Sequence, residues 1–234
     1  MRLILTCEHA GNGVPKEYRH LFTGARKILD SHRGYDPGAL DLFKELRKIA
    51  FFDKFHTVSR LLVEPNRSLH HPQLFSEFSR DLTEPEKAKL LEKFYFPYRD
   101  SVEEEIRETI SGEEEVLHLS VHTFTPVLAG QVRNADIGLL YDPKRAGEKE
   151  FCTAFKKAIG DQDPDLQVRF NYPYRGTADG FTTFLRKKFW QNYCGIEIEV
   201  NQKFTKRNLM NNPIKNTIFK ALSEVLPCSK SSEE

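Results

Sequence analysis

The sequence has no long hydrophobic run, almost no net charge and no closely spaced pair of cysteines. Because no run approaches about 18 apolar residues, we expect no transmembrane helix. The 35 lysines and arginines nearly balance the 34 aspartates and glutamates, so the net charge of +1 gives no reason to expect a nucleic-acid or membrane partner. The first apolar run is too short for a signal peptide, so we expect a cytoplasmic protein with reduced thiols.

The sequence does contain enough apolar material for one sizeable core. Hydrophobic residues occupy 39% of the 234 positions, and 18 of them are phenylalanines. A chain of this length is expected to form one domain, which we place over residues 1–227. The segment 228–234 is polar and is predicted to be a disordered tail.

Strand-like and helix-like segments alternate along the chain. Strands are predicted at about 2–7, 55–63, 116–122, 136–141, 166–170 and 194–200. Helices are predicted after Asp36-Pro37, from the capping box Thr83-Glu84-Pro85-Glu86 toward Gly112, and at about 148–159, 181–190 and 214–225. The alternation predicts a three-layer α/β fold with a mostly parallel or mixed central sheet.

Two histidines follow apolar runs directly, His9 after the first strand and His122 near the end of the third. The carboxyl ends of parallel strands form the usual ligand-binding edge of an open α/β sheet. A catalytic zinc ion takes three protein ligands and water, so a third ligand is needed. We choose Asp36 and keep Glu8 as the alternative. Asp36 is equally suited to cap the helix that follows it.

The segment Ile196–Asn201 carries two carboxylates on an apolar strand. Glu197 and Glu199 are two residues apart, so they lie on the same face of the strand. A metal-activated water needs a base, and Glu199 is our choice because it lies nearer the strand end. Glu197 is the alternative base or the partner of an arginine. A solvent-exposed face of an edge strand would explain the pair without any function.

An anion-binding site is predicted from Arg60, Asn66 and Arg67. Guanidinium groups bind carboxylates in a bidentate manner, and an asparagine side chain adds a donor and an acceptor. The alternative is a pair of surface arginines. The loop 171–177 is a candidate second wall of the same site, although its proline and glycine also suit a simple turn.

These segments, taken together and in this order, resemble the N-formylglutamate amidohydrolase family. The resemblance extends over most of the chain, and it is carried by Cys7-Glu8-His9-Ala10-Gly11-Asn12, Tyr35-Asp36-Pro37-Gly38-Ala39-Leu40, Ser59-Arg60 with Asn66-Arg67, His122-Thr123-Phe124-Thr125-Pro126, Asp136-Ile137-Gly138-Leu139-Leu140, Asn171-Tyr172-Pro173-Tyr174 and Ile198-Glu199-Val200-Asn201-Gln202.

The resemblance implies a phosphorylase/hydrolase-like core, similar in fold to zinc carboxypeptidases and aspartoacylases. It implies one divalent metal ion, zinc, and hydrolysis of the amide of a small, carboxylate-bearing N-formyl or other N-acyl amino acid. By position, Asn66 and Arg67 would bind the substrate carboxylate, His122 the zinc, and Glu199 would be the base.

Two departures from the pattern of these relatives limit the prediction. Asn12 stands three residues after His9, where zinc carboxypeptidases have a glutamate ligand, so the third ligand is not fixed. Glu64-Pro65 precede Asn66 where an aspartate and an aliphatic residue are expected, which indicates a divergent branch. A non-catalytic anion-binding protein and a carboxypeptidase-like peptidase remain as alternatives. The sequence leaves the substrate, the native metal and the oligomeric state open.

Overall fold

The computed structural model describes residues 1–226, and the predicted tail 228–234 lies outside the described residues. A six-stranded sheet runs through the centre in the order β2-β1-β3-β8-β6-β7. The strands of this sheet are β1 (Arg2–Cys7), β2 (Phe52–Phe55), β3 (Val116–Phe124), β6 (Ile137–Leu140), β7 (Val168–Phe170) and β8 (Tyr193–Asn201). All neighbouring strands are parallel except β6 and β8, which are antiparallel.

Helices and two small hairpins complete the described chain. The helices are α1 (Arg26–Leu29), α2 (Ala39–Leu46), α3 (Glu84–Leu90), α4 (Phe96–Ser111), α5 (Ala146–Gln162), α6 (Phe181–Lys188) and α7 (Asn212–Val225). The hairpins are β4 (Val127–Leu128) with β5 (Gln131–Val132), and β9 (Thr205–Lys206) with β10 (Leu209–Met210). Among these helices, none is long and apolar enough to cross a membrane.

The predicted three-layer α/β architecture is confirmed, because helices cover both faces of the sheet. Alternate residues of a strand point to opposite faces. In β1, Leu3 and Leu5 pack on one face against α2, α5 and α7, whereas Ile4 packs on the other face against α4 and α6. All nine residues of β3 are buried. This central position explains why β3 has an apolar run without a solvent-exposed face.

The helix predicted from the capping box is also confirmed, with one local change of geometry. Thr83 and Glu86 cap the start of α3 through both of the expected hydrogen bonds. The helical path continues to Ser111, but a π-helical turn over Leu91–Tyr95 separates α3 from α4. Pro97, two residues after this turn, has no N–H for the helical ladder, which accounts for the interruption.

The strand predicted at 55–63 is wrong. The strand ends at Phe55. The N–H of His56 still donates to Cys7 at the end of β1, and the backbone of residues 56–59 then bonds to the loop after β1. The N–H of Ala10 donates to the carbonyl of His56 at 3.0 Å, and that of Ser59 donates to Gly13 at 2.8 Å. Periodicity in the sequence did not reveal this pairing of two loops. The pairing brings residues 59–67 close to the end of β1.

The parallel pairing aligns the predicted site residues at one edge of the sheet. The end of β1 lies beside β3, and Thr6 is paired with Ser120. On the other side of β3, His122 is paired with Glu199 of β8. His9, which follows β1, therefore meets His122 and Glu199 at the carboxyl end of the three central strands.

The buried His118 predicts a pH dependence of stability. Its Nε2 atom is 2.8 Å from Thr6 Oγ1, its Nδ1 atom is 2.7 Å from the Tyr193 hydroxyl, and burial lowers its pKa to about 4. Between this pKa and the unfolded value of about 6.5, the unfolded chain binds more protons. The stabilisation present above pH 6.5 is therefore lost as the pH falls toward 4, by up to about 1.4 kcal/mol per pH unit.

Urea unfolding between pH 7 and 4.5 measures this loss. We expect a shallower decline of the unfolding free energy in His118→Gln, which does not titrate, and no change of slope in the matched control His70→Gln, because His70 is exposed. An unchanged slope in His118→Gln would contradict the assignment.

Candidate metal centre and substrate pocket

His9, Asp36 and His122 form a buried cluster at the carboxyl edge of the sheet. Their exposed fractions are 2%, 5% and 3%. Asp36 Oδ2 lies 3.3 Å from His9 Nδ1 and 3.0 Å from His122 Nδ1. One ligand atom from each residue lies within 4.8 Å of the other two, which is the spacing of a metal-binding group. The three residues predicted as metal ligands are thus brought together.

The other ring nitrogen of His122 is held by groups behind the cluster. His122 Nε2 lies 3.1 Å from Glu8 Oε2 and 2.9 Å from Ser120 Oγ. Ser120 and Tyr98 both donate hydrogen bonds to the Glu8 carboxylate. Burial opposes ionisation of Glu8, but the bonds from His122 and Ser120 hold the pKa of Glu8 well below its usual range. Glu8 therefore contacts the nitrogen of His122 that faces away from Asp36.

His9 is held in a similar way. Its Nε2 atom lies 2.6 Å from Glu64 Oε1, and Arg60 Nη2 pairs with Glu64 Oε2 at 2.5 Å. Arg60 Nη1 lies 3.3 Å from His9 Nδ1. A guanidinium only donates, so His9 Nδ1 is the acceptor and His9 Nε2 carries the proton that goes to Glu64.

The cluster fits a cation on the chemistry of its donors. A neutral imidazole carries one N–H, so when Nε2–H faces a glutamate, Nδ1 of each histidine has a lone pair that can bind a cation together with Asp36. The three carboxylates of Asp36, Glu8 and Glu64 and the single guanidinium of Arg60 together carry a charge of −2 when both histidines are neutral. Burial opposes protonation of His122, yet Asp36 and Glu8 raise the pKa of its ring well above the ordinary value. The site therefore attracts positive charge.

Asp36 does not cap a helix, so that alternative is wrong. Helix α2 begins only at Ala39, and its N-cap is Gly38, whose φ of 88° lies in the left-handed region. The Asp36 side chain is left to contact the two histidines and the Thr123 N–H at 3.4 Å. The turn at Gly38 lets the chain enter α2 while Asp36 faces the end of β3.

Glu199 stands beside the cluster without a hydrogen-bond partner for one oxygen. It is paired with His122 across β3 and β8 and is 5% exposed, and its Oε2 atom is buried and unpaired among residues 1–226. Burial raises the pKa of Glu199 to about 8, with a further contribution from the Asp36 charge. Glu197, on the same face, accepts a hydrogen bond from Thr182 Oγ1. An edge-strand explanation is wrong, since β8 is central.

A pocket of about 210 Å³ opens from this cluster and includes every predicted site residue. The lining outside the cluster includes Asn66, Arg67 and Arg175, which together are called the far wall. Asn66 Oδ1 accepts the N–H of Phe181 at 2.7 Å, and Arg67 donates to the carbonyl of Asp179. The exposed side chain of Arg175 has no hydrogen-bond or ion-pair partner within the described chain, although its backbone carbonyl accepts the N–H of Ala178. The polar wall expected from the loop 171–177 is therefore present.

Arg60 lines the same pocket, but its side chain contacts the cluster. It bridges Asp36 of the cluster and the neighbouring Glu64, with Nη1 at 3.6 Å from Asp36 Oδ1 and Nη2 bound to Glu64. Sequence reasoning missed the contact of Glu64 with His9 because the two residues are 55 positions apart. It also did not choose Arg175, for which the polar loop was the only signal.

Comparisons with known proteins agree with the geometry. The model of the N-formylglutamate amidohydrolase family matches residues 1–205. A gene product of Agrobacterium tumefaciens of known structure is 26% identical, with a TM-score of 0.77 over 96% of this chain and 91% of its own. An N-formylglutamate amidohydrolase from Ralstonia eutropha is 16% identical, with a TM-score of 0.71 over 96% and 91%, and this likeness shows the fold. No curated protein sequence matches.

The family match covers most of the chain, and it includes His9, Asp36, His122 and Glu199. The resemblance inferred from the short segments is confirmed. The chain therefore belongs to the N-formylglutamate amidohydrolase family.

Proposed function

We propose that this protein is a metal-dependent amidohydrolase that cleaves the amide of an N-formyl or other N-acyl amino acid. One observation carries the proposal: the buried group His9, Asp36 and His122 shares a pocket with the unpartnered carboxylate of Glu199. Membership of the family supports hydrolysis of this kind of bond.

The metal ligands would be His9 Nδ1, His122 Nδ1 and Asp36. Two imidazoles and one carboxylate suit zinc, and three protein ligands are typical of a catalytic site. When bound, a divalent ion supplies a Lewis acid and lowers the pKa of water. Glu8 and Glu64 fix the ring orientation and the tautomer of the histidines, as carboxylates behind a metal site commonly do.

Glu199 would act as the proton carrier of the reaction. The residue lines the pocket beside His122 and one of its oxygens has no partner, so it would take a proton from the attacking water and pass it to the leaving nitrogen. Arg60 keeps unused N–H donors next to Asp36 and His9. There it can stabilise negative charge on the acyl oxygen.

The far wall would bind the carboxylates of the amino acid. Asn66 and Arg67 are adjacent and offer an amide and a guanidinium, which suit the α-carboxylate. Arg175 comes from a different loop and is free to bind a second carboxylate. Gly138 helps to position that loop, because a Cβ at this residue would collide with the carbonyl of Tyr172.

Metal content tests the first part of the proposal. Protein purified without added metal is expected to contain about one divalent ion per chain, and His122→Ala and Asp36→Asn to lose it. Glu8→Gln should bind the ion about 10–100-fold more weakly, because it removes only a supporting charge. Mass spectrometry measures the content, with His70→Ala as the control that retains metal. Wild-type protein that neither contains nor takes up a divalent ion would contradict the proposal.

The role of Glu199 predicts a loss of turnover without loss of metal. Glu199→Gln removes the proton-carrying group but keeps the shape, so kcat should fall by about 10²–10⁴-fold at an unchanged metal content. Formate release from N-formyl amino acids is the assay, and Glu108→Gln, on the exposed side of α4, is the matched control. Equal activity in Glu199→Gln would show that another group moves the proton.

Arg175 predicts a preference for substrates with two carboxylates. Arg175→Met should lower kcat/KM for N-formylglutamate by about 10–100-fold, the usual value of a charge-assisted hydrogen bond. N-formyl-leucine, which lacks the second carboxylate, should lose less than about threefold. The same loss for both substrates would assign Arg175 to the α-carboxylate or to loop structure instead.

A further inference from the structure

Glu197 lies in the substrate pocket but has no part in the chemistry described above. It precedes Glu199 by two residues on β8, so both side chains leave the same face of the strand. Glu197 is paired with Ser120 of β3. This pair lies two residues farther from the carboxyl edge of the sheet than the pair of His122 with Glu199. Its carboxylate thus lines the inner part of the pocket.

One oxygen of Glu197 accepts a hydrogen bond from a neighbouring residue, but no neighbouring cation compensates the negative charge. Thr182, which is 1% exposed, donates its hydroxyl hydrogen to Glu197 Oε1. No lysine, arginine or histidine of residues 1–226 forms an ion pair with Glu197. The Glu197 side chain is half-buried and lines the pocket, so this uncompensated charge is within reach of a bound ligand.

Donors for a carboxylate lie directly beside this acceptor. Gly180 brings Asn66 and Glu197 together, since a Cβ at Gly180 would lie 3.3 Å from Asn66 Oδ1 and 3.4 Å from Glu197 Oε1. Because Asn66 Oδ1 already accepts the Phe181 N–H, its amide nitrogen remains for a ligand. Arg67 is the next residue along the pocket wall. This end of the pocket therefore combines two donors with one anionic acceptor.

We propose that Glu197 is a substrate-binding residue that accepts a hydrogen bond from the α-nitrogen of the amino-acid half of the substrate. This inference rests on the proposed function. An amino acid carries its nitrogen and its carboxylate on the same carbon, which matches an acceptor adjacent to two donors. Before cleavage Glu197 receives the amide N–H, and after cleavage it pairs with the ammonium group of the released amino acid.

The proposal has two consequences that the role of Glu199 does not share. The enzyme should reject an N-methylated amide, which has no N–H to donate, and it should bind the free amino acid product. Both should depend on Glu197. A charge-assisted hydrogen bond corresponds to about 10–100-fold in affinity.

The probes are N-formyl-L-glutamate, its N-methyl derivative and L-glutamate. In wild-type protein kcat/KM should be at least about tenfold higher for the N–H substrate than for the N-methyl compound. In Glu197→Ala this ratio should fall to about threefold or less. Calorimetry should show L-glutamate binding weakened by about 10–100-fold in Glu197→Ala and less in Glu197→Gln, which keeps an acceptor oxygen.

Thr182→Val is the positioning control, because it removes the hydroxyl that donates a hydrogen bond to Glu197. It should lower the ratio of kcat/KM between the N–H and N-methyl substrates, but less than Glu197→Ala does. Glu108→Gln should behave as wild type. The substrate ratio is taken within one protein, so a general loss of folded enzyme does not change it. An unchanged ratio and unchanged L-glutamate affinity in Glu197→Ala would overturn the proposal. A kcat loss as large as that of Glu199→Gln would also overturn it, since it would make Glu197 the proton carrier.

The two hypotheses fail in different ways. If wild-type protein hydrolyses no N-acyl amino acid, the proposed function fails, and the calorimetric comparison still tests whether Glu197 holds an amino-acid nitrogen. If hydrolysis proceeds and Glu197→Ala discriminates like wild type, only the inference about Glu197 fails.

Discussion

The structure depends on the burial of several carboxylates around two histidines at the end of the central strands. Asp36, Glu8 and Glu64 are each at most 5% exposed, and Arg60 is the single guanidinium among them. Removing an ion from water costs several kcal/mol unless it is paired. The excess negative charge therefore favours positive charge at the point where both Nδ1 atoms meet Asp36, either a proton on His122 or a bound cation.

The α/β topology brings these charged residues together at one edge of the sheet. Parallel pairing places the ends of β1, β3 and β8 at one edge, and the loop after β2 runs against the loop after β1. The Nε2 atom of each histidine then contacts a glutamate from a different part of the chain, Glu64 for His9 and Glu8 for His122. The far wall comes partly from the same loop after β2, through Asn66 and Arg67, and partly from the loop that carries Arg175.

The sequence predicted the elements whose signals are local. Apolar runs located β1, β3 and β8, and the capping box located α3, because burial on both faces and N-terminal capping leave patterns in adjacent residues. His9, His122 and Glu199 were predicted to lie close together because strand ends meet at one sheet edge, and the structure places them in one pocket with Asp36. The short segments in order also identified the family.

What the sequence did not reveal are the contacts made between loops. The segment 56–63 has strand-like composition, yet the backbone of its first four residues, 56–59, bonds to residues 10–13. The contact of Glu64 with His9 and the helix start at Ala39 instead of Asp36 also follow from tertiary packing. The role of Arg60 changed for the same reason, since a guanidinium next to Glu64 and Asp36 is held at the cluster and not on the far wall.

The most direct test of this account is a crystal structure of zinc-loaded protein with anomalous diffraction data at the zinc edge. The account predicts one strong peak about 2.0–2.2 Å from His9 Nδ1, His122 Nδ1 and an Asp36 oxygen, with Glu8 and Glu64 still bound to the Nε2 atoms. A peak on Nε2 of either histidine, or no peak within this cluster, would contradict it.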